Sequence, residues 1–386
     1  MHRASGSLAS DAGAVPAPEP LLPDYGGACL TEVVPTLLRR AALAERGALP
    51  AFLPEKVAEA RQVVLLVLDG LGWEQLRART ALAPTLAQLA GGSITSVAPT
   101  TTATALTSIV TGSPPARHGT IGYRLCTSAG VLNVLRWTAG GQDARQSVPP
   151  ARFRRVPPFC GATVPVVSRA EFAGTGFTEA HLHAMPLVGW RVPSSLRVEV
   201  RRLLASGAPF VYAYYDGIDK IAHETGLGEH YAAELQATDR LVADLAADLP
   251  PGAALVVTAD HGQVEVRSDP VSLPGEIAAD VTLLSGEGRF RWLHARSGAA
   301  EGVRAACAQR FSDIAWVRSR EELIAEGWFG GRPDPEVEAL LGDVALVAFA
   351  PIAFYDPNDS GELRLISRHG SLTSAEVLVP LIAALS

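Results

Sequence analysis

The sequence predicts an α/β fold: a mostly parallel central sheet with helices on both faces and two inserted segments. Three observations carry this expectation. Val63–Leu68 is an unbroken run of Val and Leu, and a strand without polar alternation is one buried on both faces, as in a parallel sheet. Runs of the same character recur at Pro209–Tyr215 and Ala253–Thr258, with helical stretches between, which is the signature of an α/β sheet. Asp69 follows the first run directly and Asp260 follows the third by one residue, at the strand ends where open α/β sheets bind ligands.

In order along the chain, residues 1–25 are rich in Ala, Ser, Gly and Pro and read as a flexible lead-in. A single domain is expected over 26–386. Cys29–Gly47 has helical spacing, with Thr31 as a candidate cap and Gly47 as a stop. After the Val63–Leu68 strand come helical stretches at Trp73–Arg79 and Ala83–Ala90, the latter opened by Pro84. Gly92–Pro99 is strand-like and leads into a helix over Thr100–Gly112, where Gly112 is a natural terminator. From about 124 to 204 the signal breaks into short pieces with Gly and Pro punctuation, read as an inserted cap. Glu229–Leu249 is an amphipathic helix. A second insertion is expected at about 286–350, and the last segment returns to the core.

The composition bounds the function. The chain has 386 residues, 48% of them hydrophobic, enough for a large core and too many for disorder. A net charge of −7 argues against nucleic-acid binding but leaves a nucleotide or phosphate ester open as substrate. Cys29, Cys126, Cys160 and Cys307 are sparse and form no CxxC pair, so free thiols, mostly buried, are expected. No apolar run reaches the roughly 18–20 residues of a membrane helix, and the first residues lack a continuous apolar stretch of signal-peptide type. A cytoplasmic location without membrane attachment is the expectation; the sequence leaves the oligomeric state open.

Chemistry-bearing residues recur after apolar strands or in tight turns: Asp69 in VLDGLG, Asp219 and His223 in YYDGIDKIAH, Asp260 and His261 in VVTADHG, and His369 in SRHG. A threonine cluster, Thr100–Thr102, lies between the first two. Carboxylates with imidazoles suit Zn²⁺, Mn²⁺ or Fe. Six such residues can fill two sites, and paired metals clamp the attacking and leaving oxygens of an in-line phosphoryl displacement. A Thr hydroxyl at a helix N-terminus is well placed as nucleophile, because the helix end favours a phosphate. Each residue alone has a plainer reading, such as a turn former, a helix pair or a cap; the joint occurrence is what points to chemistry.

Taken in order, D-G, P-T-x-T before a helix ending in T-G, D-x-x-x-H, A-D-H-G and a late H-G, the chain resembles the alkaline phosphatase superfamily. The branch it looks most like is the type I phosphodiesterase/nucleotide pyrophosphatase group, over about residues 61–380 with both insertions unmatched. The resemblance implies an alkaline phosphatase-like fold and two divalent metal ions, zinc first, with manganese or iron also admissible. One ion would be held by Asp219, His223 and His369, the other by Asp69, Asp260 and His261. Counting back from Thr111–Gly112, the resemblance places the nucleophile at Thr102, which also touches metal; Thr100 and Thr101 are the adjacent hydroxyls. His118, in ARHG, reads as structural. Ala105 stands where the family pattern has an Asn that holds phosphoryl oxygens, and Tyr123, Arg124 and Lys220 are candidate substitutes.

The implied activity is hydrolysis of a small phosphoric ester, a phosphodiester or nucleotide pyrophosphate, through a phosphothreonine. The alternatives are a phosphomonoesterase or phosphonate hydrolase on the same metal core, and a non-catalytic metal-containing module that binds a phosphorylated ligand or a protein. Sulfatase chemistry is disfavoured, since no C-x-P-x-R surrounds the nucleophile.

Overall fold

Seven strands build the central sheet of the computed structural model, which describes residues 17–39, 50–266, 269–359 and 364–386. In chain order they are β1 (Gln62–Leu68), β2 (Ala90–Thr95), β3 (Val166–Arg169), β4 (Leu187–Trp190), β5 (Phe210–Tyr215), β6 (Ala253–Thr258) and β7 (Leu378–Leu385). Their spatial order is β2-β7-β6-β1-β5-β3-β4. All pairings among β6, β1, β5, β3 and β4 are parallel, whereas β7 runs antiparallel to both β6 and β2. Successive side chains of a strand point to opposite faces. All six from Val63 to Leu68 are 0% exposed, so both faces of the sheet are covered.

The register positions the chemistry. Leu68 lies opposite Tyr215, and Val67 opposite Thr258. The three central strands therefore stop at one level, and the residues that follow them, Asp69, Asp216 and Asp260, emerge together.

Several elements differ from expectation. The first helix is Leu30–Leu38, with Cys29 rather than Thr31 at its N-cap; Thr31 is buried inside the first turn. The Gly47 stop lies outside the described residues. The later helices are shorter than their patterns, Trp73–Arg77 and Pro84–Gln88. The helix Thr102–Thr111 ends as expected at Gly112. That glycine has φ +59°, and a Cβ there would lie 2.3 Å from the Pro35 ring, so it also admits the first helix. The lead-in is fastened from residue 17 onward where it is described: Trp316 Nε1 donates to Pro18 O at 2.6 Å and Leu21 N to Leu372 O at 2.9 Å.

The expected cap over 124–204 is narrower. Its first part forms a four-stranded meander, Arg124–Thr127 to Gln142–Asp143, but β3 and β4 belong to the central sheet. Strands of four residues show too few alternations to be recognised as sheet. The second insertion starts slightly earlier than 286, as a four-stranded antiparallel sheet whose first strand is Val281–Glu287 and whose last is Val344–Ala348. It carries a small core of its own around Val303, Cys307, Phe311 and Phe354. Cys29 and Cys307 are buried, Cys126 is half-buried and Cys160 exposed, all as free thiols.

A buried ion pair ties this insertion to the sheet. Arg289 and Glu376 are both 0% exposed, joined by two bonds of 2.7 and 2.8 Å. Arg289 spends its other donors on the carbonyls of Ala348, Ala350 and Ile352. Glu376 also accepts from Ser371 N and Thr373 Oγ1. A second buried polar contact backs the Thr102–Thr111 helix: His118 Nε2 lies 2.8 Å from Ser108 Oγ, and its Nδ1 accepts from Thr120 N at 3.1 Å.

Two predictions follow from this packing. Arg289→Met leaves Glu376 buried and unpaired, which costs ~3–5 kcal/mol in urea unfolding; a loss under 1 kcal/mol contradicts the clamp. Burial pushes His118 down to about 3 and His181 to about 4. The unfolded chain therefore binds more protons than the folded one below pH ~6.5, and stability falls as pH drops, by up to ~1.4 kcal/mol per pH unit for each group. The stability gap between wild type and His118→Asn should narrow from pH 6.5 to 4; a constant gap contradicts this.

Candidate active site

The common strand-end edge gathers every candidate ligand. Asp69 follows β1, and Asp260 and His261 follow β6. The helix Gly217–Thr225 starts at the end of β5 and carries Asp219 and His223 one turn apart. His369 follows the short strand Ser367–Arg368, which pairs with Val264–Glu265 just beyond His261. Thr102 is the first residue of its helix, preceded by extended Thr101. Gly70, at φ +74°, lets the chain turn after Asp69; a Cβ there would lie 2.5 Å from Gln263 Nε2. Gly70 N also donates to Asp260 Oδ1 at 3.1 Å.

His261 Nε2 sits 3.1 Å from Thr102 Oγ1, 3.4 Å from Asp69 Oδ1 and 3.3 Å from Asp260 Oδ2. Asp219 Oδ1 is 3.3 Å from His223 Nε2 and 4.0 Å from His369 Nε2. The His261 and His369 rings stack with centroids 3.5 Å apart. Ligand atoms of Asp219, His223 and His369 lie within 4.8 Å of one another, and so do those of Asp69, Asp219 and His261. Asp219 thus stands between two groups that the sequence assigned separately, with Asp260 joining the second through His261. Thr102 is the hydroxyl of the threonine cluster that touches His261; Thr100 Oγ1 donates instead to Ser371 O.

The hydrogen bonds prepare these groups for a cation. Nδ1 of His223, His261 and His369 lies 2.7, 3.0 and 2.8 Å from a backbone carbonyl, of Ser367, Gly262 and Thr100 respectively. A carbonyl only accepts, so each Nδ1 carries a proton and each ring turns its Nε2 to the cluster. Asp69 Oδ1 and Asp260 Oδ2 are buried without a hydrogen-bond partner, a costly state unless a cation meets them. Tyr214 OH donates to the other Asp69 oxygen.

Burial, then the charges of Asp260 and Asp219, raises the Asp69 carboxyl well above the usual range. Burial likewise raises Asp260. His369 is held far below its ordinary value by burial and by His261 and His223. Oxygen and imidazole donors with orphaned carboxylate atoms fit divalent transition ions.

Two cavities meet at Thr102. One, of about 430 Å³, is lined by Leu106, Leu135, Phe172, Phe177, Leu182 and Tyr214 among others. The other, of about 410 Å³, is lined by Tyr123, Glu287, Asp359 and Arg368 among others. Thr102, Leu135, Arg136, Asp219 and Lys220 line both.

Of the expected substitute donors, Tyr123 and Lys220 face a cavity. Arg124 lines neither of the two cavities at Thr102; its guanidinium pairs with Asp356 and Asp359. Ala105 belongs to the apolar core and lines neither cavity, so position 105 is not a donor position here.

Two residues escaped the sequence reading. Gln263 Nε2 donates to Asp219 Oδ1 at 2.6 Å; its place two residues after His261 was the available signal. Arg136 forms no ion pair with any described residue. The hairpin tip that presents it is pinned by Trp137, at φ 55°, whose indole N–H donates to Val148 O at 2.8 Å.

Known structures share this fold. Murine ectonucleotide pyrophosphatase / phosphodiesterase 5 superposes with a TM-score of 0.64 at 15% identity, over 84% of this chain and 88% of that one. An inactive threonine-to-alanine variant of it, in complex with AMP, gives 0.63 at 14%, over 83% and 87%. Phosphonoacetate hydrolase from Sinorhizobium meliloti 1021, in complex with phosphonoformate, gives 0.61 at 19%, over 84% and 90%. At such identities the likeness shows a shared fold. No curated protein sequence matches the chain. The family model for type I phosphodiesterase / nucleotide pyrophosphatase matches residues 63–327, a span that holds Asp69, Thr102, Asp219, His223, Asp260 and His261. With the family model covering residues 63–327, most of the chain, the chain belongs to the type I phosphodiesterase / nucleotide pyrophosphatase family of hydrolases.

Proposed function

We propose that this hydrolase cleaves phosphodiesters or nucleotide pyrophosphates with Thr102 as nucleophile, at a centre of two divalent ions, zinc first. The observation that carries the reading is the position of Thr102. Its hydroxyl opens a helix, lies 3.1 Å from His261 Nε2 and stands where two cavities join. A phosphorus atom with an organic group on each side fits two cavities better than one, which favours a diester over a monoester.

Asp69, Asp260 and His261 would hold one ion and Asp219, His223 and His369 the other, with the Asp219 carboxylate between them. Bound there, the ions supply Lewis acidity toward the Thr102 hydroxyl and the phosphoryl oxygens. The chain's own residues do the rest. Thr102 Oγ1 loses its proton to solvent in the cavity and bonds to phosphorus as the ester oxygen opposite departs. The N–H groups of the first helical turn face the anionic phosphoryl group, as helix N-termini do. Water then hydrolyses the phosphothreonine and restores the hydroxyl. Tyr123 and Lys220 are placed to donate to the phosphoryl oxygens from the cavity wall. Lys220 is itself steadied by Asp216 at 2.9 Å.

A second reading, hydrolysis of a monoester or phosphonate on the same residues, is favoured by Arg136 and Lys220 at the junction, where two cations meet the extra charge of such a group. Rates on the mono- and bis-esters of 4-nitrophenol separate the two: the first reading expects the bis-ester to turn over faster.

Thr102→Ala should keep its metal content by elemental analysis and lose turnover by ~10⁴-fold or more. Retained activity in that variant refutes the nucleophile assignment. Dialysis against a chelator should abolish turnover, and Zn²⁺ or Mn²⁺ should restore it; chelator-resistant activity refutes the metal requirement.

A further inference from the structure

The larger cavity contains an imidazole set in an otherwise mostly apolar stretch of wall. His181 ends the helix Gly176–His181 and stacks on Phe177 of the same helix, with ring centroids 3.9 Å apart and planes 15° from parallel. The helix packs against Thr102–Thr111, so this ring and the Thr102 hydroxyl line one continuous space with Phe172, Leu182 and Tyr214.

The state of the imidazole is decided by its neighbour. Nδ1 lies 2.7 Å from the carbonyl oxygen of Phe177. That oxygen can only accept, so Nδ1 carries the proton. Burial pushes the ring down to about 4, which keeps it neutral at physiological pH. Nε2 is then a bare lone pair. No described residue hydrogen-bonds it: among the described residues the Phe177 carbonyl is the only hydrogen-bond partner of His181. A neutral imidazole in this tautomer accepts a hydrogen bond at Nε2 and cannot donate one there.

We propose that His181 is a specificity-determining residue, whose Nε2 accepts a hydrogen bond from an N–H or O–H group on the organic substituent seated in the larger cavity. The inference rests on the reading of this cavity as the seat of one substituent of a phosphoric ester. The substituent it selects is aromatic or heteroaromatic, because Phe172 and Phe177 offer ring faces and edges, and it carries a donor on the part remote from phosphorus. A substituent without that donor displaces water from Nε2 and leaves the acceptor unmet, which is the usual source of strong discrimination at polar sites. Substituents that end in an acceptor alone meet the same lone pair and are rejected.

The test uses mixed phosphodiesters of 4-nitrophenol, whose second group is phenyl, 3-aminophenyl, 4-aminophenyl or 4-(dimethylamino)phenyl. Nitrophenolate release reads all four on one scale. Wild type should prefer at least one aminophenyl ester over the phenyl and dimethylamino esters by ~10-fold or more in kcat/KM, mainly through KM. His181→Phe keeps a stacked ring without the lone pair, and the preference should vanish. Equal wild-type rates on all four esters overturn this inference and leave the proposed reaction standing. A preference that survives in His181→Phe also overturns it. Cleavage of none of the four by wild type removes the proposed reaction and the inference together.

Discussion

Buried negative charge is the constraint around which this molecule is arranged. Asp69 and Asp260 lie at the ends of adjacent parallel strands with almost no exposure; burial raises both carboxyls, the charges of Asp260 and Asp219 add to this at Asp69, and that of Asp219 adds to it at Asp260. Such a concentration is held in place by many weak donors rather than by one strong partner. Tyr214 takes one Asp69 oxygen, Gly70 N and His261 N take Asp260 Oδ1, and Gln263 takes Asp219. A shell outside them is neutralised by cations: Arg169 and Lys220 both hold Asp216. Asp69 Oδ1 and Asp260 Oδ2 have no hydrogen-bond partner, and the Nε2 atoms of His223, His261 and His369 turn to the same cluster. Oxygen and imidazole donors of this kind are those that divalent ions take.

The scaffold makes this convergence cheap. Parallel strands in register end together, so residues nearly two hundred positions apart in the chain arrive side by side without loop contortion. The insertions then add what the sheet edge lacks. The 124–143 meander brings Arg136 and Leu135 over the junction of the cavities. The 281–348 sheet contributes Glu287 to the smaller cavity and is locked down by Arg289 on Glu376. Burying that pair is costly, and several backbone carbonyls share the burden of satisfying it.

How much of this was readable in advance follows from the range of each interaction. β1, β5 and β6 were readable because a strand buried on both faces shows no polar alternation. The ligands were readable because they follow such strands. β3 and β4 were not, since four residues cannot display a period, and the sheet claims them through neighbours far away in sequence. Arg136 and His181 were invisible for a related reason. Nothing in VLRWT or EAHLH marks a binding residue; their roles arise from which cavity the fold places them beside. Ala105 shows the converse, a motif position whose side chain the helix turns into the apolar core, so that its chemistry says little about the site. That Asp219 has ligand atoms near both groups is not visible in the motif spacing.

β7 is an interior strand of the sheet, seated between β6 and β2, and the segment just before it supplies His369. A chain made from its N-terminus must therefore hold β2 and β6 apart, with unsatisfied edges, until residues 378–385 have left the ribosome. The last imidazole of the cluster arrives in the same interval. Catalysis and completion of the sheet are thus bound to one late event, and the nascent chain is both inert and edge-exposed until then. The gap between β2 and β6 stays open to edge pairing until β7 closes it.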